Sequence, residues 1–369
     1  MAVNSIKSML QTVHISSEAS IYKVPVLLRS VDEAAYTPRM VSFGPLHYGK
    51  EELRDMEAHK RQYLKDFLAR SPRIKLEDCI GVLKDLEDKA LDCYAQTISL
   101  NSNDFIKLML LDACFIIELF LKWRKRNSSG NSIDELIYNK FRMKYWMRFD
   151  LLLLENQLPF FVIEKLYDLY LSTSSDRDNV SLLVLTLEYF SYFGLDKKTV
   201  EGVVFKGSDS YKVNHILHLC LQCHLPTKAR VTSDGDAELI RSATELQNAG
   251  IKFKKGRSAC LWEVKFTNGM LEIPTVTISD STNSRFRNLI ALEQSGKDEA
   301  TYFTNYVLLL DCLINTSSDV ALLRECGIIT SFMGSDEEVS EMINKLCKGV
   351  ITNQYGGYYR QLCESVNAY

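Results

Sequence analysis

Five potential metal ligands lie within ten residues near the middle of the chain. They are His215, His218, Cys220, Cys223 and His224. Imidazole and thiolate groups bind zinc, and spacings of three and four bring His215 and His218 toward one face of a helix. A structural zinc site draws its ligands from two separated pairs, but no second pair lies nearby and the stretch 216–225 is strongly apolar. We therefore expect core or capping residues here, with no bound metal and no cofactor.

A second candidate for chemistry is a histidine beside a carboxylate, which is a common general acid–base pair. His47, Glu57 and His59 could supply it, and Glu155 could complete a pocket. Their spacing does not require such a site. Glu57 and His59 fall on the charged face of a predicted helix, where solvated side chains are the simpler interpretation. An enzyme of unrecognised type that uses these four residues stays open as the alternative function.

Signatures of nucleophilic and nucleotide-dependent enzymes are missing from the sequence, which has neither Gly-x-Ser-x-Gly nor a phosphate-binding glycine loop. Two basic runs, 122–126 and 252–257, interleave aromatic residues and could contact phosphates, but solvated faces are the simpler interpretation. The formal net charge is −3, with 44 basic and 47 acidic residues, so no overall field attracts nucleic acid. We expect protein partners and no nucleic acid.

The polar residues Glu155, Asn156 and Gln157 stand directly between two apolar runs. Polar side chains in a buried joint must be hydrogen-bonded, and the ends of neighbouring helices offer unpaired backbone groups. We therefore predict a structural latch at this joint. A functional pocket is the alternative.

Composition places the chain among ordinary globular proteins, with 46% hydrophobic and 25% charged residues. Its ten cysteines are dispersed through apolar helical patterns, which is typical of buried thiols rather than disulfides. The first residues lack the apolar run of a secretory signal, so we expect a cytoplasmic protein. The most apolar stretch, 104–123, is interrupted by Lys107, Asp112, Glu118 and Lys122 and is therefore predicted to be a buried helix rather than a membrane span.

Helical periodicity dominates the chain. The sequence predicts a mainly α fold (α+β), with an irregular N-terminal lead-in over 1–49 packed on the core and a single helical domain over 50–369. Helices are predicted near 50–70, 76–96, 104–126, 180–194 and 209–224, and two more between 134 and 170 on either side of Pro159. Ser335 and Glu338 fit a capping box that begins a helix running to about Lys348.

Between 250 and 280 the period changes from 3.6 to 2, which predicts a small antiparallel sheet inserted in the helical domain. Asn268 and Gly269 supply the two positive φ angles of a type I′ turn. The turn predicts that Phe266 faces Leu271, Lys265 faces Glu272 and Val264 faces Ile273. Residues 275–278 are expected to extend the same sheet as an edge.

Several short motifs occur in a consistent order along nearly the whole chain. They include Ile21-Tyr-Lys-Val-Pro25, Val41-Ser-Phe-Gly-Pro-Leu-His47, Leu110-Leu-Asp-Ala-Cys-Phe115, Leu154-Glu-Asn-Gln-Leu-Pro-Phe160, Gly269-Met-Leu-Glu-Ile-Pro274 and Arg287-Asn-Leu-Ile-Ala-Leu-Glu-Gln294. In these motifs the chain resembles the plant domain-of-unknown-function family 247, also named UPF0481. Some relatives are associated with self-incompatibility loci in grasses, so the resemblance implies recognition or signalling.

Polar residues recur within these motifs, and we expect them to brace helix ends rather than perform chemistry. They are Asp112, Asp150, Glu155, Asn156, Gln157, Asn288, Glu293 and Gln294. A non-catalytic interaction or signalling module is therefore the leading functional prediction. Many relatives end in a C-terminal membrane helix, and the resemblance implies membrane association only through such a segment beyond Tyr369. A membrane-tethered scaffold is thus a further alternative.

Overall fold

The structure is a computed structural model. It describes residues 17–129, 141–173, 180–191, 213–223, 239–258, 260–296, 301–351 and 357–369. These residues are mainly helical and include two small sheets, so the predicted fold class is confirmed. The chain divides into two compact units. Unit 1 comprises Met1–Lys23 and Pro38–Leu219, and unit 2 comprises Val24–Thr37 and Cys220–Tyr369.

The predicted lead-in is divided between these units, since 24–37 belongs to unit 2 and 38–49 to unit 1. The single helical domain over 50–369 stays a prediction.

Unit 1 is built from helices. They are α2 (Asp55–Arg70), α3 (Leu76–Asp92), α4 (Ser102–Ser129), α5 (Phe141–Asp150), α6 (Phe160–Thr173) and α7 (Leu182–Tyr189). Helix α1 (Val26–Arg29) comes before them in the chain but belongs to unit 2. Helix α8 (Ile216–Cys223) begins in unit 1 and ends in unit 2. A 3₁₀ turn, Glu51–Leu53, leads into α2. A helix is found within each of the predicted stretches, and α2 stops at Arg70, just before Pro72 as expected. The predicted residues 134–140, 192–194, 209–212 and 224 lie outside the described residues.

Helix α4 is the core of unit 1, because every residue from 108 to 120 is buried. A helix that is buried on all sides needs neighbours on all sides. Helices α2, α3, α6 and α7 supply them, and Tyr63 of α2 stacks on Phe115 with ring centroids 4.5 Å apart.

In the described part of the chain no single helix has the length and apolar character needed to cross a membrane. One pair of helices, Tyr302–Leu313 and Ser317–Glu325, satisfies that test when joined across a bend of 107°.

Unit 2 combines helices with two small sheets. After α9 (Ala243–Asn248) come β1 (Lys252–Lys255), β2 (Lys265–Thr267), β3 (Met270–Ile273), β4 (Val276–Ile278), α10 (Thr282–Ser295), α11 (Tyr302–Leu313), α12 (Ser317–Glu325), β5 (Ile329–Ser331), α13 (Asp336–Leu346) and α14 (Arg360–Asn367). Two 3₁₀ turns, Glu33–Tyr36 and Gly357–Tyr359, complete the set. Ser335 caps α13 as predicted, by accepting the Glu338 amide.

The predicted hairpin is largely confirmed. Asn268 and Gly269 have φ of 50° and 72°, and β2 pairs with β3 so that Phe266 faces Leu271 and Lys265 faces Glu272. The predicted pairing of Val264 with Ile273 is wrong. The Val264 amide donates to the Trp262 carbonyl at 2.8 Å, which turns the chain before β2 and lets the indole of Trp262 sink into the core beside Phe303.

Two features of the sheets differ from the prediction. Strand β1 adds to β3 in parallel, so the three-stranded sheet has the order β1-β3-β2 and is mixed rather than antiparallel. Strand β4 does not extend that sheet, because it pairs in parallel with β5 from residues 329–331. Pro274 separates β3 from β4 and cannot donate to a continuing ladder.

Candidate functional site

The polar motif residues of unit 1 gather around the backbone segment 39–44. Asp150, the last residue of α5, accepts hydrogen bonds from the amides of Arg39 at 2.9 Å, Met40 at 2.7 Å and Val41 at 2.9 Å. Burial raises the pKa of Asp150 to about 6, although the three amide bonds act in the opposite direction. One carboxylate thus satisfies three consecutive backbone donors more than a hundred residues away in sequence.

Asn156 continues the attachment of this segment. Its Oδ1 accepts the Phe43 amide at 2.7 Å, and its Nδ2 donates to the carbonyls of Val41 at 3.0 Å and Asp150 at 2.9 Å. The side chain is 1% exposed, so each of these bonds replaces one to water. Asn156 therefore joins the 39–44 segment to the end of α5.

Gln157 binds the joint to itself and to α8. Its Nε2 donates to the carbonyls of Leu151 at 2.7 Å and Leu153 at 2.8 Å. Its Oε1 accepts the amide of Leu217, in the first turn of α8, at 3.2 Å. All three of these hydrogen bonds of the buried Gln157 side chain go to backbone groups, which is the arrangement expected of a structural latch.

Asp112 of α4 completes the cluster. One carboxylate oxygen accepts the Gly44 amide at 2.8 Å, and the other forms an ion pair of 2.6 Å with Lys60, which also pairs with Glu57 at 2.7 Å. Burial by itself lowers the pKa of Lys60, but the two carboxylates outweigh burial and the pKa is raised. Lys60 is fully buried, so its charge depends on these partners.

Gly44 has a φ of +68°, and a Cβ at this position would lie 2.4 Å from the Gln157 carbonyl oxygen. Only glycine combines that conformation with such a close approach.

The four catalytic candidates separate into different environments. His47 and Glu155 come together, with Nε2 and Oε2 3.3 Å apart and side chains only 4% and 7% exposed. Glu57 forms an ion pair with Lys60. His59 is half-buried on α2, where no described side chain pairs with it. His47 and Glu155 are close enough for an ion pair, but neither His47 nitrogen has a hydrogen-bond partner among the described residues, and a general base must also reach its substrate.

The motif residues of unit 2 also bond to backbone groups. Glu293 of α10 caps the start of α11, where it accepts the Phe303 amide at 2.9 Å and the Thr304 amide and hydroxyl at 2.7 and 2.6 Å. Burial raises the pKa of Glu293 to about 7 against the effect of those bonds. Asn288 donates to the Ala35 carbonyl at 2.9 Å, and Gln294 accepts the Ile351 amide at 3.0 Å.

Asp319 is a further brace that the sequence interpretation missed. It accepts the Thr316 amide and hydroxyl at 2.9 Å each, the Asn315 amide at 3.2 Å, and the Thr244 amide and hydroxyl at 2.9 and 2.8 Å. Burial acts to raise its pKa, but bonds from Thr244 and Thr316 outweigh burial and lower it. The spacing of Thr316 and Asp319 is that of a capping box and would have identified half of this arrangement.

In the cluster of potential metal ligands near α8, both ring nitrogens of His215 form hydrogen bonds with backbone groups. His215 Nδ1 accepts the His218 amide at 3.2 Å, so its Nε2 carries the proton and donates to the Ser20 carbonyl at 3.1 Å. Burial and then the neighbouring His218 lower the pKa of His215 to about 3. Among described residues no group of three or more ligands could hold a metal ion; His224 lies outside them.

The two basic runs, both predicted to be solvated faces, differ from each other. Lys122 is buried and pairs with Asp66 at 2.6 Å, and its ammonium lies 4.1 Å from the ring centre of Tyr63. The second run forms β1 and the residues after it, where Lys252, Lys254, Lys255 and Arg257 are exposed. The first run therefore begins in the core with Lys122 and ends in solvent with Lys125 and Arg126, whereas the cations of the second run all face solvent.

Sequence comparisons agree with the resemblance described above. Residues 21–369 match the profile of DUF247, a family described as plant protein of unknown function. The UPF0481 protein At3g47200 of Arabidopsis thaliana is 31% identical over 383 residues, which cover 95% of this chain and 76% of that protein. The putative UPF0481 protein At3g02645 of Arabidopsis thaliana is 25% identical over 448 residues, covering 95% and 82%. No solved structure matches the chain.

Proposed function

Since the chain belongs to the DUF247 family of plant proteins, we propose that it acts as a non-catalytic protein-interaction or signalling module. The motif residues Asp150, Asn156 and Glu293 support the non-catalytic part, because each spends its oxygens or nitrogens on backbone groups. A buried side chain that holds backbone groups in this way cannot turn to a substrate without leaving those groups unpaired, which is unfavourable.

The observation that carries the interaction part is an apolar surface in unit 2. Val26 and Leu27 on α1 are 81% and 60% exposed, and Ile351 is 66% exposed. Gly349 packs against the backbone of Leu27, since a Cβ there would lie 2.9 Å from the Leu27 carbonyl oxygen. Ile351 follows two residues later, so these three side chains share one region of the surface. We call Val26, Leu27 and Ile351 the apolar patch.

Exposed aliphatic side chains that cluster are unfavourable in water and commonly mark binding surfaces. Helix α1 does bury one side chain, Leu28, which is 2% exposed, so the helix is anchored while its other apolar residues face outward. A protein partner suits such a surface better than nucleic acid, because the patch carries no charge and the chain has a net charge of −3.

The test is a triple variant, Val26→Ser, Leu27→Ser and Ile351→Ser, in the full chain. Crosslinking followed by mass spectrometry in plant extract should recover one or more specific proteins with the wild type and lose them with the variant. Leu76→Ser in α3 is the matched control, because Leu76 is an apolar residue 40% exposed in unit 1. Recovery of the same proteins by all three chains would contradict the proposal.

We also propose a cytoplasmic location. All ten cysteines are free thiols in the structure, and burial raises the pKa of the thiols of Cys79 and Cys363 to about 11. Unpaired thiols suit a reducing compartment. A fluorescent fusion of the full chain in plant cells tests this location.

A second candidate function, an enzyme of unrecognised type, has one observation in its favour, the 3.3 Å contact between His47 and Glu155. Peptide mapping after treatment with diethyl pyrocarbonate tests it. A catalytic His47 must be reachable, so modification of His47 in the folded protein as fast as that of the half-buried His59 would favour an enzyme. Protection of His47 until unfolding favours the non-catalytic proposal.

A further inference from the structure

Strand β1 has one hydrogen-bonded side and one open side. The Lys252 amide donates to the Gly269 carbonyl at 2.8 Å and the Gly256 amide to the Ile273 carbonyl at 2.7 Å. Because backbone groups alternate along a strand, the amides and carbonyls of Phe253 and Lys255 point away from β3. No hydrogen bond from those groups to another described element occurs. Strand β1 is therefore an edge with an unpaired row of donors and acceptors.

This edge is strongly positive. Four of the six residues from 252 to 257 are cations, namely Lys252, Lys254, Lys255 and Arg257. Lys254 makes a long ion pair of 3.6 Å with Glu272 of β3, whereas within the described residues the other three have no ion pair. Glu325 acts on the neighbouring thiol of Cys326, which lies across the adjacent depression from β1. The local charge contrasts with the net charge of −3 of the whole chain.

The same strand lines a concave surface. A depression of about 730 Å³ is bounded by Phe253–Ser258 on one side and by Thr275 and Cys326 on the other. Its floor is held in place, because the Gly256 amide is bonded to Ile273 and a Cβ at Gly256 would lie 2.8 Å from the Pro274 nitrogen. The stem of Lys255 lies over Gly327, whose Cβ would be 3.7 Å from the lysine Cδ.

We propose that the β1 edge binds an extended acidic segment of a partner protein, which adds to the sheet as a further strand. The backbone of Phe253 and Lys255 supplies the hydrogen bonds of such an addition. Alternate carboxylates on the added strand meet Lys252 and Lys254 on one face of the sheet, or Lys255 and Arg257 on the other. This proposal rests on the interaction function proposed above, but it uses a surface distinct from the apolar patch.

Lysines on an edge strand can also serve only to prevent unwanted strand pairing. A purely protective edge repels every added strand, whereas the proposed site accepts an acidic one. The two roles therefore predict opposite results for the same peptide.

The probe is a fluorescein-labelled peptide of about eight residues in which glutamate and valine alternate, long enough to span the strand. Fluorescence anisotropy with the full chain should show saturable binding. A matched peptide with glutamine in place of glutamate should bind about tenfold more weakly, because the charge attraction is lost. A third peptide, methylated on the backbone nitrogens that would face β1, should also bind about tenfold more weakly because it cannot form the strand bonds.

Variants of Lys255 separate the backbone from the charge. Lys255→Pro removes the outward amide and leaves the bonds to β3 intact, since proline is accepted on an edge whose amide faces solvent. Lys255→Gln removes the same charge and keeps the amide. We expect the proline variant to bind the acidic peptide about tenfold more weakly than the glutamine variant, at equal circular dichroism and thermal midpoint.

Three outcomes would overturn the proposal. The methylated peptide could bind as well as its parent, which would leave charge attraction only. The proline and glutamine variants of Lys255 could bind the acidic peptide equally well, which would also leave charge attraction as the only interaction. A single-stranded oligonucleotide or vesicles containing phosphatidylserine could bind more tightly than the peptide and depend on Lys255 and Arg257, which would assign the edge to another partner class. The apolar patch variant should keep peptide binding, so failure here is distinguishable from failure of the proposed function.

Discussion

Two backbone segments, 39–44 in unit 1 and the outer side of β1 in unit 2, have amides that do not pair with a neighbouring strand, and the two segments differ in what accepts those amides. In the first, five of the six amides are accepted by side chains of the polar motifs, from Asp150, Asn156 and Asp112. In the second, the outward amides of Phe253 and Lys255 have no acceptor among the described elements. The difference follows burial, because Val41, Phe43 and Gly44 are shielded while the three lysines of β1 face solvent.

Burying an unpaired amide costs about 1–3 kcal/mol, whereas an exposed one is satisfied by water. The motif residues therefore exist where water is excluded, and an open edge persists where water reaches it. This contrast separates the structural polar residues of this protein from the surface that is available to a partner. The following changes break or sharpen it, beginning with the largest expected effect.

Asp150→Ala should destabilise the protein by about 3–5 kcal/mol or prevent folding, because it leaves three amides of the 39–44 segment without an acceptor. Urea unfolding followed by circular dichroism measures the change. Asp85→Ala is the control, since Asp85 is exposed on α3 and should change stability by less than about 0.5 kcal/mol. Similar losses in both variants would refute the bracing role.

Asn156→Asp keeps the size of the side chain but replaces two donated hydrogen bonds by an oxygen facing the carbonyls of Val41 and Asp150. We expect a loss of about 2–4 kcal/mol from the same unfolding measurement. The loss should shrink at low pH as the new carboxyl gains a proton and regains one donor. A loss that does not depend on pH would argue against the assigned contacts.

Glu293 and Asp319 should give stability profiles of opposite sign. The pKa of Glu293 rises from 4.5 to about 7 on folding, so its contribution is present below about pH 4.5 and is lost as pH rises through 7, by about 3 kcal/mol. The pKa of Asp319 falls on folding, so its contribution is present above its ordinary pKa and is lost as pH decreases.

Unfolding free energies of Glu293→Gln and Asp319→Asn, measured from about pH 3 to about pH 8, check both signs. This range covers the pH at which each carboxyl group changes its charge. Glu293→Gln should flatten the profile between about pH 4.5 and 7, and Asp319→Asn should flatten its acid side. If Asp319→Asn instead flattened the neutral region, the assignment of the two carboxylates would be wrong.

Gly269→Ala tests the hairpin turn that carries β3. Gly269 has a φ of +72°, and a Cβ there would lie 2.4 Å from the Tyr369 ring. Because Tyr369 is 66% exposed and can move aside, only the backbone strain should persist, about 1–2 kcal/mol. Thermal unfolding measures it, and Gly81→Ala in α3, where a Cβ meets nothing within 4 Å, should be neutral or stabilising.

Lys255→Gln should have the smallest effect on stability, within about 0.5 kcal/mol of the wild type, because the side chain is exposed and has no ion pair among the described residues. This variant distinguishes the exposed β1 edge from the buried braces most directly. A residue that contributes nothing to folding stability and much to binding of an acidic peptide belongs to a binding surface and not to the core. A stability loss comparable with that of Asn156→Asp would place Lys255 among the braces instead.

Local patterns carried much of the prediction. The Asn268–Gly269 turn and the register of Phe266 with Leu271 depend on adjacent residues and were found as predicted. The cap at Ser335 is similar, because its partner is three residues away. The motif residues that were expected to brace helix ends do form hydrogen bonds with backbone groups, since a polar group between apolar runs has few other choices once buried.

The partners of those residues could not be predicted, because they lie far away in sequence. Asp150 meets Arg39–Val41 across 109 to 111 positions, and no pattern in either segment encodes the other. The contact of His47 with Glu155 has the same origin. The parallel pairing of β1 with β3 was missed because a short run of lysines lacks the apolar alternation that indicates a strand.

The sequence by itself determined the helical class, the hairpin turn and the identity of the polar residues that have to be satisfied, because each depends on periodicity or on neighbours within a few positions. Only the tertiary structure decided which distant amides they satisfy, that Lys60 is buried between two carboxylates, and that the edge of β1 is left open. The physical reason is that burial is a property of the packed chain, and burial determines whether a polar group must find a partner or can remain in water.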